Sequence, residues 1–282
     1  MDLFEKCEGF YSDSKVAQKY GYPISQRDAL SIGIFPYFAP IDKTEGPEAI
    51  IGGKSCIMIG SNNYLGLTAD PRVQEAACEA IRTYGTSCTG SRFLNSTLHL
   101  HLELEERLAR FVGTEAALVF STGYQTNLGV IPALMEEGDI IITDREVHAS
   151  IIDGVRMARI QKNVQSRTFR HNDPEDLEAV LSSLSGNKAR LVIVDGVFSM
   201  EGDIAALRDI APVCEKHGGR LMVDDAHSLG VLGGGRGTAH HFGCVADVDL
   251  VMGTFSKSFA SVGGFISGPA KVIHWIQIFA RP

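Results

Sequence analysis

Three short segments gather side chains suited to chemistry on an amine. Ser121-Thr122-Gly123-Tyr124 follows an apolar run at 117–120 and opens a helical pattern. Its flexible backbone and unpaired N–H groups make a place for an anion such as a phosphate. Asp224-Asp225-Ala226-His227 follows a second run, 221–223, and sets a carboxylate at a strand end with an imidazole just after it. The carboxylate suits a protonated heterocyclic nitrogen, and the imidazole can donate to a phenolate oxygen. Thr254-Phe255-Ser256-Lys257-Ser258 follows a third run, 250–253, and encloses a lysine in a turn rich in hydroxyls, with the apolar segment 262–266 behind it. An enclosed amine loses part of its proton affinity and becomes a nucleophile able to form a Schiff base with a carbonyl. Each segment also has an ordinary reading: a glycine before a helix makes a turn, an acid at a strand end caps one, and lysines are common on solvated faces. Together and in this order, a phosphate nest, a ring-nitrogen carboxylate and a Schiff-base lysine are the parts of a pyridoxal phosphate site.

Positioning such groups requires a rigid frame, and the hydropathy pattern supplies one. Short β-branched runs at 117–120, 140–143, 191–195, 221–224 and 250–253 read as strands. Between them, apolar spacings of three and four predict helices over 71–84, 98–112, 125–135, 147–160 and 174–184, with a last one over 270–280. This alternation predicts an α/β fold with a mostly parallel sheet flanked by helices, in which ligands sit beyond the carboxyl ends of the strands. The pattern is weaker before residue 46. There, Tyr20-Gly21-Tyr22-Pro23 and Phe35-Pro36-Tyr37-Phe38-Ala39-Pro40 suggest an arm lying on an apolar surface, and an oligomer interface is expected there. The expected organisation is an N-terminal arm over 1–45 and one large domain over 46–282.

Composition narrows the function. Of 282 residues 44% are hydrophobic and 21% charged, a balance suited to a globular core. Lys and Arg number 26 against 34 Asp and Glu, so the net charge of -8 predicts no nucleic-acid partner and no general pull toward anionic lipid. The six cysteines form no Cys-x-x-Cys pair, which argues against a disulfide framework and a zinc site and for a reducing compartment. No integral membrane segment or secretory signal is legible, so a cytoplasmic protein is expected. His99 and His101 fall on different faces of a helix, and they and the pair His240-His241 read as packing or surface histidines. The glycine run at 233–237 lacks the spacing of a dinucleotide fingerprint.

From about residue 62 to the end, the chain resembles the α-oxoamine synthases, which are fold-type I pyridoxal phosphate enzymes. The resemblance is carried by Asn62-Asn63-Tyr64-Leu65-Gly66, the loop 85–92, Ser121-Thr122-Gly123-Tyr124, His148-Ala149-Ser150, Phe198-Ser199-Met200-Glu201-Gly202-Asp203, Asp224-Asp225-Ala226-His227 and Gly253-Thr254-Phe255-Ser256-Lys257-Ser258. Gly90-Ser91-Arg92-Phe93-Leu94-Asn95 and the residues after Lys257 look most like the serine palmitoyltransferase branch, with 8-amino-7-oxononanoate synthase as the alternative. The resemblance implies decarboxylative condensation of an amino acid, L-serine, with palmitoyl-CoA to give 3-oxosphinganine, coenzyme A and CO2. It also implies the residue roles. Lys257 carries the cofactor and shuttles a proton; Asp224 pairs with the ring nitrogen; His227 bonds the phenolic oxygen; His148 stacks on the ring face opposite the lysine.

Gly123, Tyr124 and Thr254 would hold the phosphate and ring edge, Ser199 would lie near the cofactor oxygen, and Asn62 would approach the substrate carboxylate. A homodimer is expected, with the Gly-Ser-Arg loop reaching across it. Members of the family continue into a small C-terminal domain. The chain stops at Arg281-Pro282, so that domain is expected to be absent, with cofactor attachment surviving and turnover weakened. A non-catalytic partner subunit or inactive fragment is the competing class, and against it stands Lys257 with its full set of partners.

Overall fold

Strand side chains at 140–144 and 190–195 show no polar alternation, and nearly all are buried. Such runs fit a sheet covered on both faces. The computed structural model of the protein describes residues 2–35 and 37–282; Pro36 of the expected arm lies outside them. Contacts divide the chain into two units, residues 1–59 and 60–282.

The first unit holds α1 (Leu3–Ser12), α2 (Ser14–Gln18) and α3 (Gln26–Ser31), then β1 (Lys43–Glu45), β2 (Glu48–Ile51) and β3 (Lys54–Ile57). Asp28 ties its helices, accepting from Ser14 Oγ at 2.9 Å and Ser25 Oγ at 2.7 Å. Phe10 packs edge-on against both Tyr20 and Tyr22. The unit extends past residue 45 because, among the described residues, β1, β2 and β3 pair only with one another, as an antiparallel meander.

The second unit contains α4 (Pro71–Tyr84), α5 (His99–Val112), β4 (Ala116–Phe120), α6 (Gly123–Leu134), β5 (Ile140–Asp144), α7 (Ala149–Lys162), β6 (Gln165–Phe169) and α8 (Pro174–Ser182). It continues with β7 (Arg190–Asp195), α9 (Leu207–Lys216), β8 (Arg220–Asp224), α10 (Thr238–Phe242), β9 (Leu250–Thr254), β10 (Gly264–Gly268) and α11 (Ala270–Phe279). Seven strands form one sheet in the order β4-β10-β9-β8-β7-β5-β6. All neighbours are parallel except β10, which runs antiparallel to both β4 and β9.

Alternate strand residues feed two cores. Ile142, Val192, Val223 and Phe265 pack with Leu108, Leu177, Ile210 and Ala239 from α5, α8, α9 and α10. Ile141, Ile193, Met222 and Ile266 pack with Ile131, Ile151, Val155 and Ile276 from α6, α7 and α11 on the other face. The result is a three-layer αβα unit whose central strands β5, β7, β8 and β9 all end on the same side. Among the described residues no helix is long and apolar enough to cross a membrane.

Candidate active site

The common carboxyl end of the parallel strands opens into a cavity of about 340 Å³, within the ~300–1,000 Å³ range of small-molecule sites. Gly123, Tyr124, His148, Asp224, His227, Thr254 and Lys257 all line it, although they come from four separate strand–loop junctions. Lys257 sits on the connection from β9 to β10. That loop is tied at its base, where Phe255 N–H donates to Gly263 O at 3.0 Å and Ser261 N–H to Phe255 O at 2.9 Å.

Lys257 Nζ lies 2.6 Å from His227 Nε2, and His227 Nδ1 lies 2.7 Å from the Tyr64 hydroxyl. Burial pushes the Lys257 ammonium below the usual lysine range, with the carboxylates of Asp224 and Asp195 opposing it. Burial, then the Lys257 charge and then His148, lower His227 to about 4, so its imidazole is neutral at pH 7. A neutral imidazole beside a partly desolvated amine accepts the amine's proton in a hydrogen bond without competing for positive charge. Lysine is thereby prepared as a nucleophile.

Asp224 ends β8 and is held by two donors: Asn127 Nδ2 at 2.8 Å and Ala226 N–H at 3.1 Å. Asp195 ends β7 as the direct register partner of Asp224 and also faces the cavity. Burial and the neighbouring Asp224 push its carboxyl well above the usual range. Asp224, with Asp195 beside it, offers the kind of buried carboxylate that a protonated ring nitrogen would complement. His148 caps α7, accepts Ser150 N–H at Nδ1 and lies edge-on to Tyr124 with ring centroids 6.4 Å apart.

α6 begins with Thr122 as cap, its hydroxyl accepting Gln125 N–H at 3.0 Å, and Thr122, Gly123 and Tyr124 line the cavity. A Cβ on Gly123 would stand 2.9 Å from both Cβ and Oγ1 of Thr254, so only glycine allows α6 to approach β9 this closely. Thr254 Oγ1 donates to Gly263 O at 2.9 Å and receives Ser256 Oγ at 2.9 Å. Hydroxyls, helix N–H groups, an amine and carboxylates lining one cavity are the kinds of group that pyridoxal phosphate requires.

Two expected residues stand elsewhere. Ser199 is exposed and does not line the cavity. The turn after β7 closes through Gly202 N–H to Phe198 O at 2.8 Å and Phe198 N–H to Asp203 O at 3.0 Å, which buries Phe198 and turns the next residue outward. Val197 takes the place at the wall. Asn62 does not line the cavity either; its Oδ1 accepts the Tyr64 hydroxyl at 3.2 Å, one link behind His227. Arg92 of the Gly-Ser-Arg loop points inward, and its Nη1 donates to Glu105 Oε1 at 2.5 Å. Asp195 and Tyr64 were not assigned roles from the sequence. Asp195 follows the same strand-end rule as Asp224, and that rule would have found it.

The aminotransferase class I and II profile matches residues 54–282. The chain belongs to that family. It is 49% identical over 271 residues to the serine palmitoyltransferase of Sphingobacterium spiritivorum, covering 96% of this chain and 67% of that protein. It is 42% identical to the 8-amino-7-oxononanoate synthase of Thermoanaerobacter pseudethanolicus, over 89% of this chain and 63% of that one. The serine palmitoyltransferase of S. paucimobilis, solved with a bound PLP–myriocin aldimine, superposes with a TM-score of 0.89 at 40% identity, covering 100% of this chain and 68% of that one. The chain thus spans about two thirds of the length of these serine palmitoyltransferases. The mostly parallel sheet with its carboxyl-end cavity is the fold of this aminotransferase family.

Proposed function

We propose that the protein is a pyridoxal phosphate-dependent C-acyltransferase that condenses L-serine with palmitoyl-CoA, releasing CO2 and coenzyme A and forming 3-oxosphinganine. The observation that carries the reading is the partly desolvated Lys257 amine, 2.6 Å from a neutral His227 and above the strand-end carboxylates Asp195 and Asp224. Similarity to serine palmitoyltransferases over nearly the whole chain supports the choice of substrates. The cytoplasm as compartment and a homodimer as assembly belong to the same proposal.

Bound there, pyridoxal phosphate supplies an electron sink for a carbanion on the amino acid's α-carbon. The residues divide the remaining work. The start of α6, with the Gly123 and Tyr124 N–H groups, would hold the phosphate, and Ser256 Oγ would turn to it the proton it gives Thr254 Oγ1. Asp224 holds a proton on the ring nitrogen, and His227 Nε2 orients the phenolic oxygen once Lys257 Nζ has moved off it. His148 covers one ring face and keeps water from it. Lys257 Nζ, with its lowered proton affinity, takes and returns the proton at the α-carbon.

A visible absorbance titration of the purified chain with pyridoxal 5'-phosphate, then with L-serine, glycine and L-alanine, tests this. A band that Lys257→Ala abolishes and that responds to L-serine alone is expected. A response to L-alanine and not to L-serine moves the assignment to 8-amino-7-oxononanoate synthase. Absence of any lysine-dependent band refutes the cofactor reading.

A further inference from the structure

Beneath the cavity floor lies an asparagine that its lining does not include. Asn127 is fully buried on α6, one helical turn past Gly123. Both of its contacts are made from Nδ2: Ser150 Oγ at 2.9 Å and Asp224 Oδ2 at 2.8 Å. An amide nitrogen carries two protons and offers no acceptor, so the direction of both bonds is fixed. The flipped amide would set Oδ1 against the Asp224 carboxylate. In the observed orientation Oδ1 is buried with no partner among the described residues, a cost that a residue present only for packing would have no reason to bear.

The direction then propagates. Ser150 Oγ accepts from Asn127, which leaves its own proton for His148 Nδ1, 2.7 Å away. Ser150 N–H also points at His148 Nδ1, at 3.2 Å. A ring nitrogen facing two donors carries no proton of its own, so His148 holds its proton at Nε2. The other polar and charged groups near His148 do not set this tautomer. Asp195 Oδ1 faces the backbone N–H at 3.4 Å, Tyr124 presents a ring, and His227 and Lys257 bond each other.

We propose that Asn127 is a positioning residue that sets two cofactor-facing side chains with one amide group. It aims the Asp224 carboxylate and, through the Ser150 hydroxyl, fixes His148 as the Nε2–H tautomer. The catalytic consequence rests on the pyridoxal phosphate reading above; the hydrogen-bond chain itself does not.

Two readouts keep these apart. The 282-residue chain labelled with 15N-histidine, without cofactor, reports the His148 tautomer by NMR. Pyridoxal 5'-phosphate titration across pH reports the Asp224 arm. In the parent, His148 shows Nε2–H. In Asn127→Asp the Ser150 hydroxyl turns toward the new carboxyl group and presents a lone pair to Nδ1, leaving only the longer Ser150 N–H contact at 3.2 Å to hold the Nε2–H form, so a fraction of Nδ1–H appears, and pyridoxal phosphate affinity falls about tenfold or more through loss of a charge-assisted bond. Ser150→Ala cuts the histidine arm and leaves the Asn127–Asp224 bond in place: the tautomer becomes mixed and affinity stays within about threefold. Ser150→Thr, which keeps the hydroxyl, restores the Nε2–H form. A folded Asn127→Asp with the parent's tautomer and the parent's affinity overturns the proposal. If Asn127→Asp does not fold, an unchanged His148 in Ser150→Ala overturns it. A parent chain that binds no cofactor removes the functional reading and leaves the NMR test standing.

Discussion

Cutting the Arg92–Glu105 pair should destabilise the second unit strongly, and cutting both halves at once should cost less than the two separate losses combined. β4 is the edge of the large sheet, and its Val119 has both backbone groups met by this pair. Glu105 Oε1 accepts Val119 N–H at 2.9 Å, while Arg92 Nη1 donates to Val119 O at 3.4 Å. Arg92 reaches Glu105 through Nη1 at 2.5 Å and Nη2 at 3.2 Å, with the side chains 26% and 10% exposed.

Removing one partner of a buried pair costs about 3–5 kcal/mol because a charge is left unpaired. Arg92 retains some access to water, which sets the expectation for Glu105→Leu at about 3 kcal/mol, the low end of that range. Arg92→Met should cost a similar ~3 kcal/mol. The double variant Arg92→Met/Glu105→Leu has no orphan charge and loses mainly the contacts to Val119, so about 2 kcal/mol is expected. Urea unfolding with a common m-value measures all three, and the cycle isolates the coupling. Single losses below about 1 kcal/mol, or a double variant that costs the full sum, would refute the assignment of this pair as a buried, mutually dependent cover for the sheet edge.

Gly123→Ala should leave the chain folded and weaken pyridoxal 5'-phosphate binding about tenfold or more, since its Cβ would meet Thr254 at 2.9 Å; an absorbance titration measures this. His171→Asn addresses pH. Burial pulls His171 down, but hydrogen bonds to and charge from Asp144 and Asp203 outweigh it, so its folded pKa stands above the ordinary 6.5. Its stabilising share is therefore complete below pH about 6.5 and lost as pH rises through the higher folded value. Melting curves of parent and variant should converge on the alkaline side, and a gap that widens there would contradict the sign. Phe198→Ala, which empties a fully buried ring packed 4.4 Å from His171, should cost about 3–5 kcal/mol in chemical unfolding with pyridoxal 5'-phosphate absent.

The central strands were legible because both faces are covered, which makes them continuous apolar runs. The edge strand β6, Gln165–Phe169, reads Gln-Ser-Arg-Thr-Phe and carries no such signal, since one face is largely solvated. β10 was seen only as an apolar segment. Its strand identity depends on antiparallel pairing with β4 and β9, which no local pattern announces. α9 was also unread, with Pro212 interrupting its pattern. At the site, Lys257, Asp224, His227 and Gly123 follow from the rule that ligands lie beyond strand ends, whereas His148 was reached only through the family resemblance. Asn127 could not: its two partners stand 23 and 97 residues away, and within α6 it resembles any polar break in an apolar face. Ser199 stands outside the cavity lining because a motif gives neighbours in sequence but not the turn that buries Phe198 and leaves the next residue exposed.

The place of β10 also dictates when the cavity can exist. β4, which leads into the Gly123 turn, has β10 as its one strand neighbour among the described residues, and Phe120 aligns with Gly264 about half a chain later. During synthesis the Gly123 turn therefore waits, without a strand partner among the described residues, until the segment carrying Lys257 has left the ribosome. Zipping of β4 onto β10 then brings the anion end and the amine end together in one late, long-range event. Cofactor capture thus becomes a reporter of completed sheet assembly: a nascent chain arrested before β10 is made should hold no pyridoxal phosphate however well its earlier strands have paired.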